Sequence, residues 1–161
     1  MKRITRMSTI FLKLVILFIA IVLFIIMMWF PQAEGRAANL DLISIYTDPF
    51  IIYIYIGTIP FFLGLYQMFR ILNLIDDNKA FSQQTVKSLR NIKLSSLSLI
   101  GFIVFSVILI RLFTNGDDTA GPTMLGVCMT LAFSVVATAA AVFQKLFQRA
   151  VDIKSENDLT V

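Results

Sequence analysis

Asp76 and Asp77 stand side by side with Asn78 behind them, the nearest this chain comes to a carboxylate pair that could hold a cation. A calcium loop needs its oxygen ligands at alternating positions. That spacing is missing, and the trio reads as a solvated turn. Asn115-Gly116-Asp117-Asp118 has the same acidic content and is a turn signature. Thr130, Ser134 and Thr138 recur every four residues, so three hydroxyls share one stripe of a helix. They could line a polar path, or bond within their own helix and across to a neighbour. Proton relays and ion paths place ionisable groups at that depth, and none lies there, so the stripe reads as packing. Cys128 is the single cysteine and histidine is absent, which leaves no intrachain disulfide and no basis for a His/Cys metal centre. Nucleophile–base pairs and phosphate-binding glycine loops are missing too. The expectation is a protein without enzymatic activity, catalytic residue, metal or cofactor.

One cluster remains. In the stretch from Ala80 to Lys93, Phe81, Ser82 and Val86 surround a helix start, and Lys87, Arg90 and Lys93 add positive charge. Ser82 is placed to cap the helix, and Phe81 and Val86 to form a hydrophobic staple across its first turn. Thr85 takes the position where a capping box has Glu or Gln. The cations serve either to meet anionic headgroups or to dock a soluble protein. Direct nucleic-acid binding is not expected, because the basic residues sit at the ends of apolar runs rather than along a soluble surface.

These residues need elements to hold them, and the composition says which. Of 161 residues, 58% are hydrophobic and 15% charged. A soluble domain has about 45–50% apolar and about 25% charged residues, so the excess points to lipid. Leu14 to Ala33, Pro49 to Phe69, Leu94 to Ile110 and Thr119 to Gln144 carry no charge. About 20 apolar residues cross the hydrocarbon core as a helix. The reading is a single all-α domain, an integral membrane four-helix bundle of two antiparallel hairpins. Its spans fall at about 10–30, 49–69, 94–113 and 123–147, with a middle loop at 70–93 and a tail at 148–161. Gly35-Arg36-Ala37 resembles a signal-peptide cleavage site, yet the preceding apolar run exceeds the roughly 7–15 residues of a signal core. It is read as a retained span.

Charge sets the expected orientation. Of 14 Lys and Arg, 12 lie in the N-terminus, middle loop and tail; only Arg36 and Arg111 lie on the other side. The positive-inside rule then makes both termini and the middle loop cytoplasmic, in a multi-pass protein of the inner or plasma membrane. Trp29, Tyr46, Tyr53 and Tyr55 fall near the opposite interface, where amphipathic rings gather. Leu40 to Tyr46 would be an interfacial helix or a covering loop.

Asp48-Pro49 is a helix start, with Asp as cap and Pro at the first helical position. Gly57, Pro60 and Gly64 share a face of the second span, as a hinge or as close packing, and Pro60 predicts a kink. The fourth span is rich in small residues, suited to contacts within one chain or between copies in a homo-oligomer. The tail is the most acidic part of the expected cytoplasmic face, with Asp152, Glu156 and Asp158. It is expected to meet the basic turn, Glu156 opposite Arg90.

Ala80-Phe81-Ser82, Val86-Lys87-Ser88-Leu89-Arg90-Asn91-Ile92 and the terminal Glu156-Asn157-Asp158-Leu159-Thr160-Val161 resemble a bacterial family of four-span membrane proteins known as domain of unknown function 2975. The likeness in layout covers nearly the whole chain. Its motifs are short, and their combination carries it. The resemblance implies no catalytic residue. It implies genes neighbouring small helix-turn-helix regulators, and hence a regulatory or sensing partner in the cytoplasm. The alternative is a transporter or channel component for a neutral or amphipathic solute, served by Gly57 and the hydroxyl stripe.

Overall fold

A computed structural model describes residues 2–33, 46–113 and 119–158. Four helices make up nearly all of it: α1 (Lys2–Ala33), α2 (Pro49–Asp76), α3 (Gln83–Phe113) and α4 (Ala120–Asp158). Among the described residues there is no strand. Each helix carries a stretch long and apolar enough to cross a membrane. Residues 35–37, most of the Leu40–Tyr46 segment, the turn at 115–118 and the final three residues lie outside the described part.

The helix starts follow the expected chemistry. The Phe50 N–H donates to Asp48 Oδ1 at 2.8 Å, and Pro49 takes the first helical position, where its missing N–H costs no bond. α2 then runs through Pro60 without a break. Its end is equally specified. The Lys79 N–H reaches back to the Leu74 carbonyl at 2.8 Å and the Asn78 N–H to Ile75 at 3.1 Å, the paired bonds of a Schellman turn. That turn needs a left-handed residue, and Asn78 supplies it with φ 56°. The expected middle loop at 70–93 is therefore mostly helix, and only 77–82 connects α2 to α3. Arg70, Gln83, Gln84, Lys87, Arg90 and Lys93 are good helix formers, so they extend the helices past the apolar runs.

Neighbours in the chain pack antiparallel. Tyr55 of α2 meets Met27 of α1, and Asp76 meets Thr9. Gly57 and Gly64 of α2 face Phe102 and Ser95 of α3, while Gly126 of α4 faces Val107 and Ile103. The α3–α4 contact is the most extensive and α1–α2 the least. The most apolar stretch of α1 contains no buried residue. Burial concentrates at one end, around Leu74, Val86, Leu89, Ile92, Ala137 and Ala140. That is the end where the N-terminus, the 77–82 turn and the α4 tail come together.

Candidate functional site

α2 ends in the Schellman turn and α3 begins four residues after Lys79, with Ser82 as cap. Ser82 accepts from the Thr85 N–H at Oγ, 3.4 Å, and its carbonyl accepts from the N–H groups of Thr85 and Val86. Thr85 fills the capping-box position with a hydroxyl, 3.3 Å from Ser82 Oγ and completely buried. A Glu or Gln there would bring a longer side chain into the same closed space. The turn is thus rigid at both ends, and it sets Phe81 between α3 and α4.

Asp76, read from sequence as part of a solvated turn, is instead the tether of α1. Its carboxylate accepts from the Thr9 hydroxyl at 2.6 Å and forms an ion pair with Lys13. Lys13 Nζ also lies 5.7 Å from the centre of the Phe69 ring. Both charged side chains are only 20% exposed, so solvent screens the pair less than a surface bridge. Asp77, one residue on, is exposed and caps the helix end. The two carboxylates therefore do not converge. No group of three or more His, Cys, Asp or Glu that could hold a metal occurs among the described residues.

The sequence-predicted contact residues separate into distinct roles. Val86 is buried in the α3 core, and the Ser82 hydroxyl is spent on the cap. Phe81, expected to staple the α3 turn, also reaches α4. Its ring stacks on Phe147 of α4, with centroids 5.2 Å apart and planes at 24°. Lys87 and Arg90 are exposed, with no ion pair to any described residue, and Lys93 is half-buried. Glu156 is exposed near the end of α4, and the side chain of Asp158 lies outside the described residues. With Phe81 level with Phe147, Arg90 and Glu156 diverge in opposite directions along antiparallel helices. Each is nine residues away, so they stand about 25 Å apart along the bundle. The expected Arg90–Glu156 contact is thereby corrected: α4 meets the turn through the aromatic stack at Phe147, just before the tail.

The predicted hinge and packing residues act as packing. A Cβ at Gly57 would touch the Phe102 ring at 3.5 Å, and one at Gly64 would touch Ser95 at 3.8 Å. Pro60 is half-exposed between them. The hydroxyls of Ser134 and Thr138 donate to the carbonyls four residues back, at 2.7 and 2.8 Å. Two of the three hydroxyls of the Thr130–Thr138 stripe are thereby satisfied within their own helix. Thr138 is exposed and Thr130 and Ser134 half-buried, so the stripe runs along the side of α4 rather than around an enclosed path.

Two tyrosines carry contacts that local reading misses. Pro31 has no N–H to give the Met27 carbonyl four residues earlier. The Tyr55 hydroxyl donates to that carbonyl at 3.1 Å, across from α2. Pro31 itself is fully buried. Tyr53 reaches the other way, donating to the Phe102 carbonyl of α3 at 2.7 Å. A proline inside an apolar helix is the signal that a donor must come from elsewhere; which residue supplies it depends on register. Gln67 Oε1 and Ser88 Oγ are buried without a hydrogen-bond partner among the described residues.

Comparison with known proteins agrees with this architecture. A family described as "Protein of unknown function (DUF2975)" matches residues 32–161, beginning at the end of α1. The chain is 40% identical over 158 residues to "Uncharacterized membrane protein YoaS" of Bacillus subtilis (strain 168), covering 97% of this chain and 99% of that protein. No solved structure matches.

Proposed function

Because the chain belongs to the DUF2975 family of membrane proteins, we propose that it is a non-enzymatic regulatory or sensing protein of the cell membrane. Its termini and the 77–82 turn face the cytoplasm, where its basic end engages a soluble protein such as a helix-turn-helix regulator. The orientation rests on the sequence distribution of charge: 12 of the 14 Lys and Arg fall in the N-terminus, the 70–93 segment and the tail, against Arg36 and Arg111 in the segments between.

The observation that carries the docking role is the length and attachment of α4. Its 39 residues extend about 58 Å, against about 30 Å of hydrocarbon. The excess projects at the basic end, where Phe147 stacks on Phe81. A projecting helix fixed at its base offers a preorganised surface, which lowers the ordering cost of binding. The family resemblance supplies the kind of partner, since the genes of such proteins neighbour small regulators. Transport has less support: the Ser134 and Thr138 hydroxyls are bonded within their helix, and Gly57 is packed against Phe102. Gly57, Gly64 and Gly126 are also used inside the chain, and no further copy is required to cover them.

Crosslinking of native membranes followed by mass spectrometry tests the reading. The expected result is crosslinks from Lys145 or Lys154 to a soluble regulator. If crosslinks from these lysines join only other residues of this chain, the partner hypothesis fails. Single cysteines in a Cys128→Ser background, labelled from outside the cell, test the orientation separately. Labelling at position 154 but not near 120 would reverse it.

A further inference from the structure

We infer that the outward face of α3 is a binding site for one anionic phospholipid, drawn from the leaflet at the basic end. At about 100° per residue, positions 87, 90, 94, 98, 101 and 105 fall within an arc of roughly 80°. All six are exposed. The stripe changes character with depth in the order that a phospholipid does.

Lys87 and Arg90 come first and have no anionic partner among the described residues. A phosphate at that level gains two charge-assisted contacts. Leu94 follows. Ser98 lies about 12 Å deeper than Arg90 along the helix. Its hydroxyl has no hydrogen bond to any described residue, unlike Ser96 and Ser106, which bond back to Ile92 and Phe102. Ser98 is thus deeper than the ester groups of a lipid whose phosphate sits at Arg90, because only a few bonds join phosphate to ester carbonyl, and it borders the acyl chain. Beyond Ser98 opens a recess of about 390 Å³, lined by Tyr53, Ser98, Gly101, Phe102 and Phe105. Gly101 forms its floor, since a Cβ there would meet nothing within 4 Å. The Tyr53 ring forms a wall, tilted against Phe102 and Phe105 with centroids 5.6 and 5.8 Å away. The recess is shallow and open along its length, suited to a chain lying against it rather than to an enclosed ligand. The recess faces sideways into hydrocarbon, and an acyl chain continuing from a headgroup at Lys87 and Arg90 enters it along the stripe. Rigid aromatic walls, a glycine floor and the cations above distinguish it from ordinary lipid-facing surface.

The test uses full-length protein in phosphatidylcholine vesicles containing trace phosphatidylglycerol, or trace phosphatidylcholine, with a photoreactive acyl chain. Wild type is expected to label from phosphatidylglycerol preferentially, with adducts between Ser98 and Phe105 or at Tyr53. Charge attraction is worth about fivefold per cation, so Lys87→Gln with Arg90→Gln should abolish a preference of roughly 25-fold. Gly101→Leu fills the recess without a clash and should reduce adducts there from both lipids. Equal labelling by the two lipids in wild type overturns the inference. So does a Gly101→Leu variant whose adducts are unchanged. All three positions are exposed, so folding is expected to survive these changes, and far-UV circular dichroism checks that it does.

Discussion

Removing the Tyr55 hydroxyl isolates one bond between α1 and the rest of the protein. Tyr55→Phe keeps the ring and deletes the donor to the Met27 carbonyl, which Pro31 leaves without its helical partner. An unsatisfied buried acceptor costs about 1–3 kcal/mol. Hydrogen bonds between membrane helices measure lower, about 0.6 kcal/mol on average and up to about 1.7. The expected loss is therefore about 1–1.5 kcal/mol, the upper part of the membrane range, because Pro31 removes the usual helical donor to that carbonyl. Pro31→Ala restores an N–H four residues after Met27. In that background Tyr55→Phe should cost less than about 0.5 kcal/mol, a coupling that a double-mutant cycle reads directly. The assay is reversible unfolding in mixed detergent micelles, followed by circular dichroism. An equal cost of Tyr55→Phe with and without Pro31 would refute the reasoning, since the tyrosine would then act through packing alone.

Other substitutions probe the remaining joints by the same unfolding assay. Gly126→Ala drives a methyl into Val107, so it should cost about 1–3 kcal/mol and be largely rescued by Val107→Ala; additive losses would argue against that contact. Asn78→Gly should be neutral or stabilising, while Asn78→Val should cost about 1–2 kcal/mol, because the position is left-handed. Ser82→Ala should lose about 1 kcal/mol with the α3 cap. Ser88→Ala should be neutral or stabilising by up to about 1 kcal/mol, as it removes a buried hydroxyl without a partner; a loss larger than that would show that the hydroxyl is bonded.

Elements governed by local chemistry were legible in the sequence. Uncharged runs mark the helices because the bilayer demands apolar side chains and internally satisfied backbone. Asp48 and Ser82 were identifiable as caps because a cap bonds two or three residues away. The misread residues depend on register between helices. Asp76 looks like a turn residue until Lys13, 63 positions earlier, is set beside it. Phe81 suits a staple within its own helix, and nothing local signals its stack on Phe147, 66 positions later. Arg90 and Glu156 have complementary charge, yet antiparallel packing carries them apart. The α3 stripe was half legible: its cations were evident, but the groove deeper along the same face needed Tyr53 from α2.

The strong contacts join α1 to α2, α2 to α3 and α3 to α4, each with its neighbour in the chain. Assembly can therefore follow the order of synthesis, each helix docking on one already made, with low contact order and little loop entropy to overcome. A break between α1 and α2 should then be tolerated. α2 to α4 would form a core alone, and a separately made α1 could rejoin it through Asp76 and Tyr55. Lipid already satisfies the apolar side of α1, so its recruitment is a matter of two polar clasps rather than of burial.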